Sequence, residues 1–477
     1  MRVLLHGFGS FPVLFWHLIR HAQTFDTPPE WAIVLNSDHH APLFTRLLGE
    51  SRVLVLNQTG GEPLAGEENW IYPGAIFRDM EAEKRTYKGE PAKAQLERAM
   101  GMYRQVRRFA SAFRPTHALV SQVEGFDGKV FIAAARELGA RIAVPTHCRN
   151  LGGIFFSSDD FETLPKYASP GLAENRAAAE KLIAEFRANP TSARGATEIL
   201  GVQLDGLTPR FAIRLKNALR RWLFTPGGFQ WDFLRASFLN NVPFLRDRIW
   251  GIRKWKNGRY HDIKAVEDLP ERFIFYPLQY SPESSINTPA PYFLDQMRAI
   301  DAIRFAMPPD CTLVVKEHPS CILIRPGSFV RKLQKTAGVA VAHFRMPTTE
   351  IIRRAGITIS ITGTATFEAM LLGRQAICLG HNLITPFLGG ACPLDKLPAR
   401  IAEKMGRAFP EEEAVNAIAS IFSARYEFNF GSPGVAGEPL LRDKNIEKIY
   451  TSFLDHCRRE DAAEEPRTDA DLHGSEG

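Results

Sequence analysis

Cysteine is scarce in this chain, and what there is does not pair. The six cysteines among 477 residues are Cys148, Cys311, Cys321, Cys378, Cys392 and Cys457. They form no CxxC unit and no zinc-ligand spacing, which argues against a disulfide framework or a structural zinc site and predicts buried thiols in a reducing compartment. Long apolar runs are missing too. No stretch reaches the roughly 18 apolar residues of a transmembrane helix. The opening residues through Gly9 break their apolar run at His6 and Gly7, unlike a secretory signal. The expected location is the cytoplasm, with peripheral contact to the inner membrane left open. A large charge excess is also absent. Lys and Arg total 59 against 53 for Asp and Glu, a net +6 that is too mild for a general nucleic-acid binder.

What is present is an ordinary globular balance, 45% hydrophobic and 23% charged, in a chain long enough for two domains. Short apolar strand candidates alternate with helical periodicity in two blocks. Residues 2–6, 31–36, 52–57, 117–122 and 141–144 read as strands of the first, with helices over 12–22, 92–112 and 129–138. Residues 273–277, 312–316, 339–342, 357–361 and 376–379 read as strands of the second, with helices over 292–307, 349–355 and from about 365 to 372. Strand–helix alternation predicts parallel sheets covered on both faces. The fold class expected is α/β, with two Rossmann-like domains facing a cleft. The boundaries are 1–165 for an N-terminal, acceptor-side domain and 265–400 for a C-terminal, nucleotide-sugar domain. Between them, 166–264 reads as a helical linker or insert. Helices follow over 401–457, and the polar, acidic tail 458–477 is expected to be disordered.

The linker carries most of the charge asymmetry. Over 207–260, twelve Lys and Arg, among them Arg210, Arg220, Arg246 and Lys254, face only Asp232 and Asp247, with Trp222, Trp231, Trp250 and Trp255 interleaved. Such a segment either grips an anionic membrane surface or packs its aromatics as an insert.

In open parallel sheets ligands sit beyond the carboxyl ends of the strands, so the loops after strands are the places to look. Lys316-Glu317-His318-Pro319 follows one strand. A histidine fixed there by proline can offer an N–H or a positive charge to a phosphate leaving group, with Lys316 adding charge unless strand alternation turns it away. Ser360 to Ala369 contains Thr362, Gly363 and Thr364, then Glu368 one turn into a helix. Its hydroxyls and backbone N–H groups suit a phosphate and its carboxylate suits ribose hydroxyls; the plain reading is a Thr364 helix cap with a solvated Glu368. The loop after residue 277 supplies Gln279, Tyr280, Glu283, Ser284 and Ser285, which can contact a base or phosphate from the other side.

These three blocks, in this order over about 270–382, resemble the capsule polysaccharide biosynthesis family, which includes the capsular Kdo transferases. The resemblance implies a GT-B fold and a CMP-activated sugar acid as donor. The His318-Pro319 pair is similar to the His-Pro motif of bacterial sialyltransferases. By that likeness His318 holds the CMP phosphate, Ser284, Ser285, Thr362 and Thr364 line it, and Glu368 binds ribose. Arg374-Gln375 stand where the family often has Lys-Pro.

The first block holds the candidates for the other wall. Ser121-Gln122-Val123-Glu124-Gly125-Phe126-Asp127-Gly128 resembles the acidic-Gly motif of those sialyltransferases. Glu124 is the first choice as base for an acceptor hydroxyl, or as nucleophile in a retaining reaction, with Asp127 as its rival. The plain reading makes both solvated acids of a capping loop. Gly7, Gly9 and Ser10 form a strand-to-helix turn that can approach sugar or acceptor; it lacks the third glycine and distal acid of a dinucleotide site. His147 and Arg149 follow another strand and can meet an acceptor or a donor carboxylate. Asp38-His39-His40 is not expected to hold a metal, because adjacent histidines diverge in a strand. No motif requires a metal or cofactor. The expected partners are a nucleotide sugar and a glycan or lipid-linked acceptor. The rival readings are a sugar-nucleotide epimerase, a polymerase using a CDP-alcohol, and a non-catalytic subunit of polysaccharide export or assembly.

Overall fold

The computed structural model describes residues 1–57, 61–81, 91–123, 125–190, 259–280, 288–318, 321, 325–431, 433 and 438–464. Glu124, Glu283, Ser284, Ser285 and Pro319 lie outside these, as do all but the last two residues of the basic aromatic segment 207–260 and most of the 458–477 tail.

In the first sheet β1 (Arg2–Gly7), β2 (Glu30–Leu35), β3 (Val53–Val55), β4 (His117–Val120) and β5 (Arg141–His147) run parallel, and β6 (Ile154–Ser157) closes one edge antiparallel to β5. Its order is β3-β2-β1-β4-β5-β6. The second sheet has β7 (Phe273–Pro277), β8 (Thr312–Lys316), β9 (Val339–Ala342), β10 (Ile357–Ser360) and β11 (Ala376–Cys378), all parallel, in the order β11-β10-β7-β8-β9. Counted from its own first strand, each sheet therefore runs third, second, first, fourth, fifth. The order reverses between β1 and β4 in one half and between β7 and β10 in the other. These reversals are the crevices where such sheets take ligands.

The strands read as nearly unbroken apolar runs because both faces are covered. Val3 and Leu5 join one core layer while Leu4 joins the opposite one. Phe273 and Phe275 likewise lie across the second sheet from Ile274 and Tyr276. This is the two-residue alternation of a strand buried on both sides. Helices α1 (Phe11–Ala22), α2 (Ala41–Leu48), α3 (Ile76–Glu81), α4 (Ala92–Phe113) and α5 (Phe126–Glu137) cover the first sheet, and α6 (Ala173–Ala188) follows β6. The second sheet carries α7 (Met297–Ala306), α8 (Gly327–Gln334), α9 (Thr348–Arg354), α10 (Ala365–Leu371), α11 (Leu397–Lys404) and α12 (Glu411–Ala424).

The chain crosses between the halves more than once. Helix α6 packs against α12, placing Ala179 and Ile183 in the core of the second half. The last helix, α13 (Asp443–Glu464), returns to α1 and buries Ile446, Ile449, Tyr450, Phe453 and Cys457 among Val3, Leu5 and Leu14. It runs beyond residue 457, so the start of the tail is helical. Two Rossmann-like units with the final helix carried back to the first form the GT-B-type arrangement. All six cysteines are buried, with no disulfide among the described residues. Among the described residues no helix is long and apolar enough to cross a membrane.

Several elements escape a reading of periodicity. The four residues of β6 and the six of α3 are too short to show a repeat. Asp38–His40 is a single 3-10 turn, not a strand. Ser37 Oγ accepts the His39 N–H at 3.3 Å, and the two imidazoles meet edge to face at 4.7 Å.

The return of α13 yields a test. Phe453 is fully buried, and Phe453→Ala should destabilise the protein by about 3–5 kcal/mol. In urea this should appear as a lower midpoint with the first half loosening; an unchanged midpoint would mean that α13 is not part of the first core.

Candidate functional site

The polar residues gather where the two sheets reverse their order. In the second half, Gln279 follows β7 and Ser360 ends β10. The Gln279 side-chain amide donates to Ser360 Oγ at 2.6 Å, and the same Oγ accepts the Gly363 N–H at 3.1 Å. The backbone of Gln279 is held by Gln296: its N–H donates to Gln296 Oε1 at 2.8 Å, and its carbonyl accepts from Gln296 Nε2 at 2.9 Å. Arg325 Nη2 donates to that carbonyl as well, at 2.9 Å. Gly363 packs directly against the Gln279–Ser360 hydrogen bond, which a side chain there would displace. A Cβ there would lie 2.3 Å from Gln279 Nε2 and 2.7 Å from Ser360 Oγ.

Beyond β8 the charges are buried. Lys316 is bonded through Nζ to Thr348 Oγ1 at 2.8 Å, so the strand does turn it inward. Burial lowers its pKa to about 8, although Glu368 and Glu317 raise it. Glu317 is 2% exposed and forms an ion pair with Arg325. Burial is the largest effect on Glu317 and pushes its carboxyl above the usual range, against the pull of Arg325. Its Oε1 accepts the His318 N–H at 2.7 Å, which fixes the turn that carries the imidazole. Tyr280 flanks that imidazole, ring centroids 5.7 Å apart. Burial, then Lys316 and Arg325, hold His318 at about 4. The side chain is thus a neutral N–H donor at pH 7, not an imidazolium, until an anion compensates the charges around it.

Helix α10 has seven residues, so its dipole is small and its hydroxyls matter more. Thr364 stands at the N-cap position but makes no side-chain cap bond. Glu368 is 3% exposed. The plain reading of a Thr364 cap with a solvated Glu368 is therefore wrong on both counts: the acid points into the protein, where its charge acts on Lys316.

The first half has a matching corner. His6 is the penultimate residue of β1, Ser121 follows β4, and Asp127 lies in the first turn of α5. Asp127 is buried, not solvated, because α5 begins at Phe126 rather than near 129 and draws the acid inside. Its Oδ2 lies 3.5 Å from His6 Nε2. A Cβ at Gly7 would meet Leu35 Cδ2 at 2.8 Å, so that leucine would have to shift to admit one. Gly9 has φ +57° and open space around it, and its N–H donates to Asn36 Oδ1 at 3.3 Å. Ser10 precedes α1 without capping it by its side chain.

The halves touch beside these corners. Thr288 Oγ1 donates to the Val123 carbonyl at 3.3 Å. Arg149 donates through Nε and Nη2 to Glu162 Oε2 at 3.0 and 2.6 Å, and the same oxygen accepts the Leu383 N–H at 3.2 Å. Arg149 is thus committed to Glu162, which itself bridges to Leu383 in the second half, while His147 is exposed. Ser121 opens the acidic-Gly run and His6 precedes the Gly7 turn, but neither pattern gives them a role, and no motif announces Glu162 or Arg325; all four become visible only by proximity. Among the described residues no group of three or more His, Cys, Asp or Glu is placed to hold a metal ion.

The chain matches no protein-family model. It is 29% identical to Protein FixF of Sinorhizobium fredii (strain NBRC 101917 / NGR234) over 176 residues, 33% of this chain and 41% of that protein. The match thus spans about two fifths of that relative's length. Among solved structures it is similar to the KpsC β-Kdo 2,4 transferase of Thermosulfurimonas dismutans, with 11% identity over 70% of this chain and 86% of that one at a TM-score of 0.34. It is also similar to the KpsC β-Kdo 2,7 transferase of that organism, with 13% identity over 80% and 97% at a TM-score of 0.31. A UDP-GlcNAc 2-epimerase from Neisseria meningitidis is similar over 95% of this chain and 100% of that chain, with 12% identity and a TM-score of 0.23. At these scores the likenesses carry no argument about chemistry, and the site rests on its own geometry.

That geometry predicts a response to charge. Arg325→Met strands Glu317 in the interior and should cost about 3–5 kcal/mol. Arg325→Met with Glu317→Leu should recover most of that loss in thermal melts; a double variant as unstable as the single one would show that the pair is not the cause.

Proposed function

We propose that this protein is a glycosyltransferase of capsule or surface polysaccharide synthesis, taking a sugar acid such as Kdo from a CMP donor to a glycan or lipid-linked acceptor. The observation that carries this reading is the pairing of two switch-point corners. One is furnished with a neutral imidazole, a buried lysine, hydroxyls and a buried acid, and the other with a buried carboxylate. The first suits the phosphate and ribose of a nucleotide, and the second suits an acceptor hydroxyl. The sequence motifs over 270–382 point to the same donor.

In this reading His318 donates its N–H to the nucleotide phosphate, and the phosphate in turn raises the imidazole's proton affinity. Lys316 stabilises the leaving group from beneath the loop, Gln279 and Gly363 shape the backbone around it, and Thr362 and Thr364 add hydroxyls. Glu368 takes the ribose. Glu124 or Asp127 receives the acceptor proton or acts as nucleophile. Ser284, Ser285 and Pro319 belong to the donor loops, and His147 to the acceptor side.

Calorimetry with CMP, CDP, UDP and GDP tests the donor class. CMP should bind, and His318→Ala should weaken it by at least about tenfold, the scale of a lost charge-assisted hydrogen bond. Near pH 6, buffers of different ionisation enthalpy should reveal proton uptake, because His318 rises from about 4 as the phosphate arrives. A preference for UDP or GDP would discard the CMP donor, and no nucleotide binding would discard transfer itself.

A further inference from the structure

The corner at β1 and β4 holds more than a lone carboxylate. His6 is 1% exposed and Asp127 is 7% exposed. His6 Nδ1 lies 3.3 Å from Ser121 Oγ, and that oxygen accepts the N–H of Phe8 at 3.3 Å. With one lone pair of Ser121 occupied by a backbone donor, the hydroxyl proton is free to turn to Nδ1. The neutral imidazole then carries its own proton on Nε2, the nitrogen that faces Asp127 Oδ2 at 3.5 Å. The ring is braced by Phe131, centroids 5.1 Å apart, and a side chain at Gly128 would press on Gln122 at 2.8 Å.

We propose that His6 is a positioning residue for Asp127: held by Ser121, its imidazole presents an Nε2 proton to the carboxylate and fixes the carboxylate's orientation at the end of the parallel strands. This rests on the transferase reading for its purpose. There, the acceptor O–H bond breaks to Asp127 and the oxygen bonds the sugar's anomeric carbon. The bond from that carbon to the nucleotide phosphate breaks, its electron pair leaving with the phosphate. Ser121 is not the nucleophile, since its oxygen is buried and turned to backbone.

Few other groups act on the pair. Val34 and Val120 flank His6 from β2 and β4. From α5 come Asp127, Gly128 and Phe131. Lys129, the next charge on that helix, is paired with Asp160. Among the described residues Asp127 is thus the ionisable group that meets the imidazole.

The full chain labelled with 15N-histidine provides the test, the His6 signals being assigned by their loss in His6→Gln. Long-range proton–nitrogen spectra across a pH titration should show the Nε2–H tautomer. Asp127→Asn should admit the Nδ1–H tautomer of His6 and move its Nε2 resonance, whereas Asp160→Asn should leave both in place. A dominant Nδ1–H tautomer in the parent protein, or a His6 tautomer ratio and Nε2 resonance indifferent to Asp127→Asn, overturns the proposal. Should Asp127→Asn fail to fold by circular dichroism, Ser121→Ala carries the test: a mixed tautomer supports the pair, and an unchanged one overturns it. No sugar nucleotide enters these spectra, so they succeed or fail independently of the transferase reading. With a working donor, His6→Gln should lower kcat more than it changes KM and move the acid limb of the pH profile upward; an unmoved limb counts against His6.

Discussion

A parallel strand that ends inside a protein leaves its last backbone groups without a ladder partner, and something buried must take them. At β7 that burden falls on Gln279. Its N–H and carbonyl are both met by Gln296, its carbonyl also by Arg325, and its side chain reaches Ser360 on the neighbouring strand. One glutamine thereby joins β7, β10, the start of α7 and the segment that follows His318. The shape of the loops beyond β7 and β10 depends on this set being complete, because each group left unmet would cost about 1–3 kcal/mol in such surroundings.

The same logic runs through the charges. Glu317 and Arg325 are unlikely partners for an interior unless both are satisfied, and each is, by the other and by backbone. Their arrangement makes His318 neutral, since two cations sit near an imidazole that burial already disfavours as a cation. A bound anion beside the imidazole would reverse that balance.

The two corners are built on one plan. In each, a serine at or just beyond the end of the fourth strand of its sheet meets a side chain from the end of the first: Ser121 with His6, and Ser360 with Gln279. The identities differ: an amide at one corner fixes loop geometry without charge, and an imidazole stands beside a carboxylate at the other. Arg149, Glu162 and the Leu383 N–H then tie the halves beside the cleft.

Sequence alone determined the α/β class, the two-unit plan and most strands, because apolar runs such as Phe273–Tyr276 belong only in a sheet covered on both faces. It also directed attention to the loops after strands, where His318 and Thr362 stand. Tertiary structure decided the rest. It turned Glu368 inward, committed Arg149 to Glu162, made His318 a neutral donor and brought His6 to Asp127 from far along the chain. Those outcomes follow from burial and distance between residues remote in sequence, and neither quantity is written in local periodicity.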